Sequence, residues 1–244
     1  MLRGLIAGLA LALATIPVSA GPADVITAAE YAEPTTRYDH AVLGDNAEWG
    51  ALVLTLDACP DCAAKDSRSV TIRLPDFRVF EDIAPRLLDL DNDGLPEVVV
   101  IESDLAKGSR LAVYDETGAI AATPFIGNSN RWLAPLGAAD LDGDGLTELA
   151  YVDRPHLAKI LRVWRYENQR LTEIAELPGL TNHRIGEPFI SGGIRDCGAG
   201  PELITADANW RQIMATRLRG GTLSSEPIAP FGGPASFTAA LTCR

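Results

Sequence analysis

The sequence has little histidine and none of the short motifs carried by most hydrolases and phosphate-binding proteins. Its 244 residues include three histidines, His40, His156 and His183, which fall in predicted loops without a close partner. No His-Glu-x-x-His, Gly-x-Ser-x-Gly or glycine-rich phosphate-binding motif is present. These absences argue against the common metalloprotease, serine-hydrolase and nucleotide-binding classes, and we expect a protein that is not an enzyme.

Positive charge is also scarce in this chain. Lys and Arg together number 21 against 33 Asp and Glu, which gives a formal net charge of −12. An acidic surface repels phosphate backbones and anionic lipids, so we expect no nucleic-acid partner. Two of the densest acidic patches are residues 89–97 and 140–148, where neighbouring carboxylates repel one another unless a cation neutralises them. The charge distribution therefore favours metal binding.

A long apolar run occurs at the N-terminus, over residues 5–18. The run is followed by a small-x-small site ending at Ala20, which predicts a signal peptide over residues 1–20. The alternative is an uncleaved anchor that tethers the same domain. No later segment is long and apolar enough to span a membrane. We therefore expect a secreted or periplasmic domain over residues 21–244, with no transmembrane segment after cleavage.

Cysteine is limited to Cys59, Cys62, Cys197 and Cys243. An even number in an exported chain favours disulfides over free thiols, and three pairings are possible in principle. A short loop closed by Cys59 and Cys62 would leave Cys197 to pair with Cys243. Structural zinc at Cys-x-x-Cys would need two further ligands, and a thioredoxin-like site would need a strand leading into a helix. The sequence shows neither.

The chain contains an internal repeat. Residues 88–100 recur 51 positions later as residues 139–151, and weaker copies lie around Glu48 and Glu202. A fixed period of this length is typical of repeat architectures. The predicted units lie near residues 38–84, 85–130, 131–183 and 184–233.

Each unit has the pattern of short strands, in which apolar and β-branched residues alternate between turn residues. The strands predicted for the second and third units are 85–90, 97–102, 110–114, 119–125, 133–141, 148–152, 159–166 and 171–177. Further strands are expected at 25–32 and 236–242, where they would meet and close a ring. Four strands in about fifty residues correspond to one blade of a β-propeller. The predicted fold is all-β, a small propeller-like array of four to five four-stranded blades, with an open array as the alternative.

The two acidic segments have the spacing of a calcium-binding loop, with acids at positions 1, 3, 5 and 9 and a glycine at position 6. Calcium takes six to eight hard oxygen ligands in a flexible geometry, and a carboxylate-rich cage suits it better than magnesium. The predicted Ca2+ ligands are the side chains of Asp89, Asp91, Asp93 and Glu97 with the carbonyl of Leu95, and those of Asp140, Asp142, Asp144 and Glu148 with the carbonyl of Leu146.

An EF-hand is disfavoured as the source of this loop. Its twelfth position needs a bidentate glutamate, whereas Val100 and Tyr151 stand there, inside strand-like runs. The sequence instead resembles the FG-GAP or VCBS repeat proteins, whose β-propeller blades carry Asp-x-Asp-x-Asp-Gly-x-x-Asp calcium loops, as in the integrin α-subunit head. Glu97 and Glu148 stand where that family more often has Asp, and its Phe-Gly and Gly-Ala-Pro signatures are not clear.

In the outer units the loop has lost most of its acids. Asp45 and Glu48 remain in the first unit and Asp196 and Glu202 in the fourth, so no strong ion site is expected there. The resemblance implies that calcium is structural and that the module binds an unknown protein or glycan ligand, or serves as an envelope scaffold. The alternative is a propeller-scaffold hydrolase or lactonase-like enzyme, which would require carboxylates and histidines to converge on the axis of the ring.

Overall fold

The computed structural model describes residues 24–44, 47–58 and 67–244, and within these ranges the protein is all-β apart from one short helix. The predicted signal peptide, Cys59, Cys62 and Asp45 lie outside the described residues. The strands are β1 Val25–Thr35, β2 Glu48–Asp57, β3 Ser67–Arg73, β4 Arg78–Phe80, β5 Arg86–Leu88, β6 Glu97–Asp104, β7 Gly108–Asp115, β8 Gly118–Ala122, β9 Leu133–Ala139, β10 Thr147–Asp153, β11 Ile160–Glu167, β12 Arg170–Pro178, β13 Leu180–Thr181, β14 Gly193–Asp196, β15 Pro201–Asp207, β16 Gln212–Arg219 and β17 Thr222–Pro230. The helix α1 is Pro234–Leu241.

The strands form three antiparallel sheets. The first has the order β1-β2-β4-β6-β7-β8, with β3 beside β2 and β5 beside β6. The second has the order β12-β11-β10-β9, and the third has β13-β15-β16-β17 with β14 beside β15. The first two sequence units share the eight-stranded sheet, in which β2 and β4 are joined by the single pair Trp49↔Phe80. The all-β prediction is confirmed, whereas the number of blades remains a prediction.

All eight strands predicted for the second and third units are present, with ends that differ by at most three residues. The central strands β6 and β10 are buried along their whole length. Because side chains alternate across a strand, Leu149 and Tyr151 pack with Ile101 of the first sheet, while Ala150 packs with Leu203 of the third. The second sheet is therefore held between two apolar cores, and each large side chain buried there contributes about 1.5–3 kcal/mol.

The predicted strand at 236–242 is wrong, because this segment lies in the helix α1. Pro234 stands in its first turn, where a missing N–H costs nothing, and Ala is the best helix former. Phe237 and Ala240, three residues apart, bury one face of the helix. The helix packs on β15 and β17, and the other terminal piece, β1, pairs with β2. These two pieces therefore do not close a ring as a pair of strands.

A transmembrane helix is not found in the part of the chain that the structure describes. The helix α1 has eight residues, whereas a membrane span needs about 20.

Candidate metal centres

Both acidic loops close an antiparallel hairpin at the same register. The last pair before the first loop is Leu88↔Glu97, between β5 and β6. The last pair before the second is Ala139↔Glu148, between β9 and β10. The loops also share their backbone, since the fourth and sixth positions are left-handed in both. These residues are Asn92 (φ 61°), Gly94 (φ 85°), Gly143 (φ 82°) and Gly145 (φ 90°).

The first loop is held by its own carboxylates. Asp89 accepts the backbone N–H groups of Asp93 at 3.1 Å and Gly94 at 3.0 Å. Glu97, at the other end, accepts the N–H of Leu90 at 2.9 Å. Each carboxylate keeps a second oxygen or a second lone pair. These bonds therefore fix the positions of the acids and leave acceptor sites for a cation.

The second loop repeats this pattern. Asp140 accepts the N–H groups of Gly143, Asp144 and Gly145 at 2.7, 3.1 and 2.9 Å, and Glu148 accepts the N–H of Leu141 at 2.8 Å. Two loops 51 residues apart therefore reach the same geometry by the same bonds.

Three carboxylates converge in each loop. One oxygen from each member lies within 4.8 Å of the other two, in the triads Asp89, Asp91, Glu97 and Asp140, Asp142, Glu148. No other group of three or more acids, cysteines or histidines comes together in this way among the described residues. The triads contain six of the ten predicted ligands. Three negative groups at this distance repel one another strongly once they are partly removed from water.

At position 5 of the two loops, Asp93 and Asp144 stay predicted ligands. Asp93 and Asp144 lie outside the triads, and their Oδ1 atoms accept the N–H groups of Leu95 and Leu146 at 2.7 and 3.0 Å. The carbonyls of Leu95 and Leu146 stay predicted ligands. The side chains at position 5 can reach a bound ion only through a remaining oxygen.

A guanidinium already offsets part of the negative charge of the second loop. Arg165 pairs with Glu148 across β10 and β11, and its guanidinium lies 2.8 to 2.9 Å from oxygens of Asp142, Asp144 and Glu148. In the first sheet, the residue of β7 that corresponds to Arg165 is Asp115. It lies opposite Glu97, one step beyond the pair Val98↔Tyr114.

Among the described residues, the first loop has no such partner. No Lys or Arg of the described ranges forms an ion pair with any of its acids, Asp89, Asp91, Asp93 and Glu97. Two loops with the same backbone therefore differ in their local charge.

Burial raises the pKa of Glu97 above its usual range, and repulsion from Asp91 and Asp93 raises it further. The N–H of Leu90 opposes this shift. Burial also raises the pKa of Glu148, and the hydrogen bond from Arg165 opposes that shift. In both loops the closing glutamate is thus costly to ionise without a cation beside it.

The fourth unit has ion pairs and a disulfide in place of the acidic loop. Glu202 is buried and forms ion pairs with Arg195, at 2.7 Å, and with Arg217. Cys197 forms a disulfide with Cys243, which confirms that bridge. The fourth unit thus has arginine ion pairs and a disulfide at the position where the inner units have acidic loops. The absence of a strong ion site there remains a prediction. The expected Cys59–Cys62 bridge lies outside the described residues.

The expectation that the histidines lack close partners is wrong. His156 Nε2 lies 2.9 Å from His183 Nδ1, and His40 Nδ1 forms a hydrogen bond with the buried carboxylate of Glu81. The ring of Trp132 packs on both members of the pair, at 6.4 Å from His156 and 4.9 Å from His183 between ring centroids.

A signal of this cluster was present in the sequence. Glu81, Trp132 and His183 follow one another at intervals of 51 residues, the same period as the acidic loops. They therefore occupy equivalent positions of the 51-residue period. Local motifs could not reveal the cluster, because its members come from segments far apart in the chain.

Residues 89–151 match the family described as FG-GAP-like repeat. A comparison with curated proteins finds no match. Among solved structures, the chain is similar to the crystal structure of the exotype rhamnogalacturonan lyase YesX, with 14% identity and a TM-score of 0.38. That similarity covers 86% of this chain and 50% of the lyase chain, so the chain spans half the length of that protein. The segment that holds both carboxylate triads therefore matches the FG-GAP-like repeat, the family that the sequence motif resembles.

Proposed function

We propose that this protein is an exported, calcium-binding module with a β-propeller-like arrangement of its repeats and a non-catalytic role in binding a protein or glycan ligand. The observation that carries the proposal is the pair of carboxylate triads at equivalent hairpins, held by the same hydrogen bonds. Carboxylates placed this closely favour a hard cation with a high coordination number, which is the chemistry of calcium.

The proposed role of calcium is to stabilise the hairpins. A cation between Asp89, Asp91 and Glu97 would remove their mutual repulsion and tie both ends of the turn to β6, a central strand of its sheet. An ion that binds only the folded state stabilises it by mass action, by about 2.7 kcal/mol at a hundredfold excess over the dissociation constant.

The two loops differ in the positive charge that lies beside their carboxylates. Arg165 supplies positive charge to the second loop, whereas the first has only carboxylates. We therefore assign the tighter site to the first loop and a weaker site to the second, where the ion must compete with a guanidinium.

The number of blades and the export of the protein are part of the same proposal. Four to five blades follow from the four repeat units, and export follows from the apolar N-terminus and is consistent with the disulfide. The mass of the mature protein tests export, because cleavage after Ala20 leaves Gly21 as the first residue.

The test of the calcium proposal is a calorimetric calcium titration of the full domain with thermal melts in calcium and in chelator. Asp91→Ala should abolish the tighter site, and Asp142→Ala should affect only the weaker one. Asp76→Ala is the matched control, because Asp76 is fully exposed and lies outside both loops. Calcium binding that survives both loop substitutions, or no binding at millimolar calcium, would overturn the proposal.

A further inference from the structure

A pocket of about 220 Å3 lies between the second and third units, where the segment that follows β8 meets β10, β11 and β12. Much of its wall is apolar and comes from the side chains of Phe125, Ile126 and Trp164. An apolar cavity of about 150 Å3 is large enough to hold a benzene ring. The pocket therefore has room for one aromatic or branched side chain together with part of its backbone.

Trp164 contributes a buried donor that has no acceptor. Its side chain lines the pocket, the residue is 8% exposed, and the indole Nε1 has no hydrogen-bond partner in the described structure. Burial raises the pKa of the neighbouring Tyr151 and the indole opposes that rise, yet the two groups do not reach hydrogen-bond geometry. A buried N–H group without an acceptor is destabilising. A ligand oxygen that accepts from Trp164 therefore stabilises the occupied pocket.

The charged groups of the lining balance one another, because two arginines face two acids. Asp153 accepts from Arg154 Nε and Nη2 at 2.8 and 2.9 Å, and from Arg162 Nε at 3.1 Å. Glu173 is tied to Arg162 in the same way. Arg154 Nη1 is left without a partner among the described residues. The pocket therefore offers free N–H donors and few free acceptors, and it has no net charge that would favour an ion.

The surface next to the pocket is also apolar. Arg154 lines a second, smaller cavity together with Leu157, which is 61% exposed. The N–H of Leu157 donates to the carbonyl of Arg154 at 2.8 Å, so a tight turn holds this leucine close to the mouth of the pocket. A partner that fills the pocket can therefore also cover Leu157 and remove its apolar surface from water.

We infer that this pocket receives one large apolar residue of a partner protein. The side chain packs between Phe125 and Trp164, and main-chain carbonyl oxygens of the partner accept from Trp164 Nε1 and Arg154 Nη1. A peptide residue of this kind supplies an apolar body and acceptor oxygens without a charge, as the lining requires. A sugar ring of similar size would bring hydroxyl donors, and the carboxylates tied to the arginines leave few acceptors for them.

The residue types of the pocket agree with such a partner, since Trp, Tyr and Arg supply most of the binding energy at protein interfaces. The inference rests on the proposed binding role and identifies the ligand as a protein. It does not involve the calcium loops.

The experiment is a titration of the isotope-labelled full domain with N-acetyl-L-phenylalaninamide, in which two-dimensional NMR follows the indole N–H signals. The chain has four tryptophans, and Trp164→Phe identifies the signal of Trp164. This signal should move downfield as the N–H gains an acceptor, with a dissociation constant in the millimolar range. N-acetylglycinamide, which lacks the ring, should bind at least about tenfold more weakly, and D-glucose should cause no shift.

A second variant tests the other donor. Arg154→Gln removes the free Nη1 and should weaken binding of N-acetyl-L-phenylalaninamide about tenfold. Asp153 keeps Arg162 as its partner in this variant, so the fold should be preserved. Arg170→Gln is the control, because Arg170 is an exposed arginine outside the pocket.

Four results would overturn the inference. They are equal affinities for the phenylalanine and glycine amides, no shift of the Trp164 signal at millimolar ligand, a shift of that signal caused by glucose, and binding unaffected by Arg154→Gln. The titrations are made both in calcium and in chelator, and calcium affinity is measured separately. Failure of the pocket and failure of the calcium proposal therefore give different results.

Discussion

At the level of single residues, the repeat units differ in the residue that pairs with the closing glutamate. Glu148 faces Arg165, Glu202 is paired with Arg217, and Glu97 has neither. An arginine and a calcium ion meet the same electrostatic need, namely a positive charge beside a partly buried carboxylate. We therefore propose that the repeat meets one need in two ways within a single chain, with an arginine beside Glu148 and calcium beside Glu97.

Arg165→Gln should make the second loop depend on calcium instead of on the guanidinium. Without the guanidinium, calcium affinity at the second loop should rise by roughly tenfold, since the ion no longer competes with a charge at contact distance. Stability in chelator should fall by about 1 kcal/mol because Glu148 loses its partner. Calorimetry and chemical denaturation measure both effects.

The control for that variant is Arg162→Gln. Arg162 lies on the same strand but pairs with Asp153, Glu173 and Glu176. Equal calcium affinities for the two variants would contradict the role assigned to Arg165.

Sequence reasoning reached the loop acids but not this arginine. Asp89 and Glu97 lie within nine residues, so their spacing is visible in the linear sequence. Arg165 lies 17 residues beyond Glu148, on the next strand, and its contact follows from strand register. The register that pairs these two strands depends on the turn between them, and no local pattern of the acidic loop predicts it.

At the level of elements, the fourth unit is completed by the C-terminal helix and a disulfide. The bridge between Cys197 and Cys243 spans 46 residues, and Arg195 donates to the carbonyl of Ala240 in α1. Residues 236–242 are predicted from the sequence to be a strand that helps to close a ring. Helical packing of Phe237 against the third sheet decided the outcome, which is a tertiary contact that the segment alone does not reveal.

Replacing both Cys197 and Cys243 by Ser should lower the free energy of unfolding by about 4 kcal/mol, from the chain entropy of a 46-residue closed loop. Amide exchange should become faster in α1 and β14, while calcium binding by the two acidic loops should be unchanged. Urea denaturation and hydrogen exchange test this. A loss below about 1 kcal/mol would show that the helix is held by its apolar face alone.

At the level of the whole molecule, residues from different repeats meet at the histidine cluster. Glu81 lies in the first predicted unit and Trp132 and His183 lie in the third, and the indole Nε1 of Trp132 donates to the carbonyl of Glu81 at 2.9 Å. The 51-residue period predicted equivalent acidic loops, and the same period places these three residues together. His40 bonds to Glu81 within the first unit and His156 bonds to His183 within the third, and the bond from Trp132 to Glu81 joins the two units.

The cluster should make stability depend on pH. An unfolded histidine gains a proton near pH 6.5, whereas His156 in the folded protein stays neutral down to about pH 4. The unfolded state therefore binds more protons in this window, and the free energy of unfolding falls as the pH falls from about 6.5 to 4. His156→Gln removes this contribution, so denaturation curves at pH 7 and pH 5 should differ less for the variant than for the wild type. Equal differences would contradict the buried, neutral pair.

A crystal structure of the protein grown in calcium, with anomalous scattering used to locate the ion, tests calcium binding directly. We predict an ion at the first loop, with oxygens of Asp89, Asp91 and Glu97 at about 2.3–2.6 Å, and lower occupancy at the second loop beside Arg165. A first loop that holds only water at millimolar calcium, with its three carboxylates still converged, would contradict calcium binding at this hairpin.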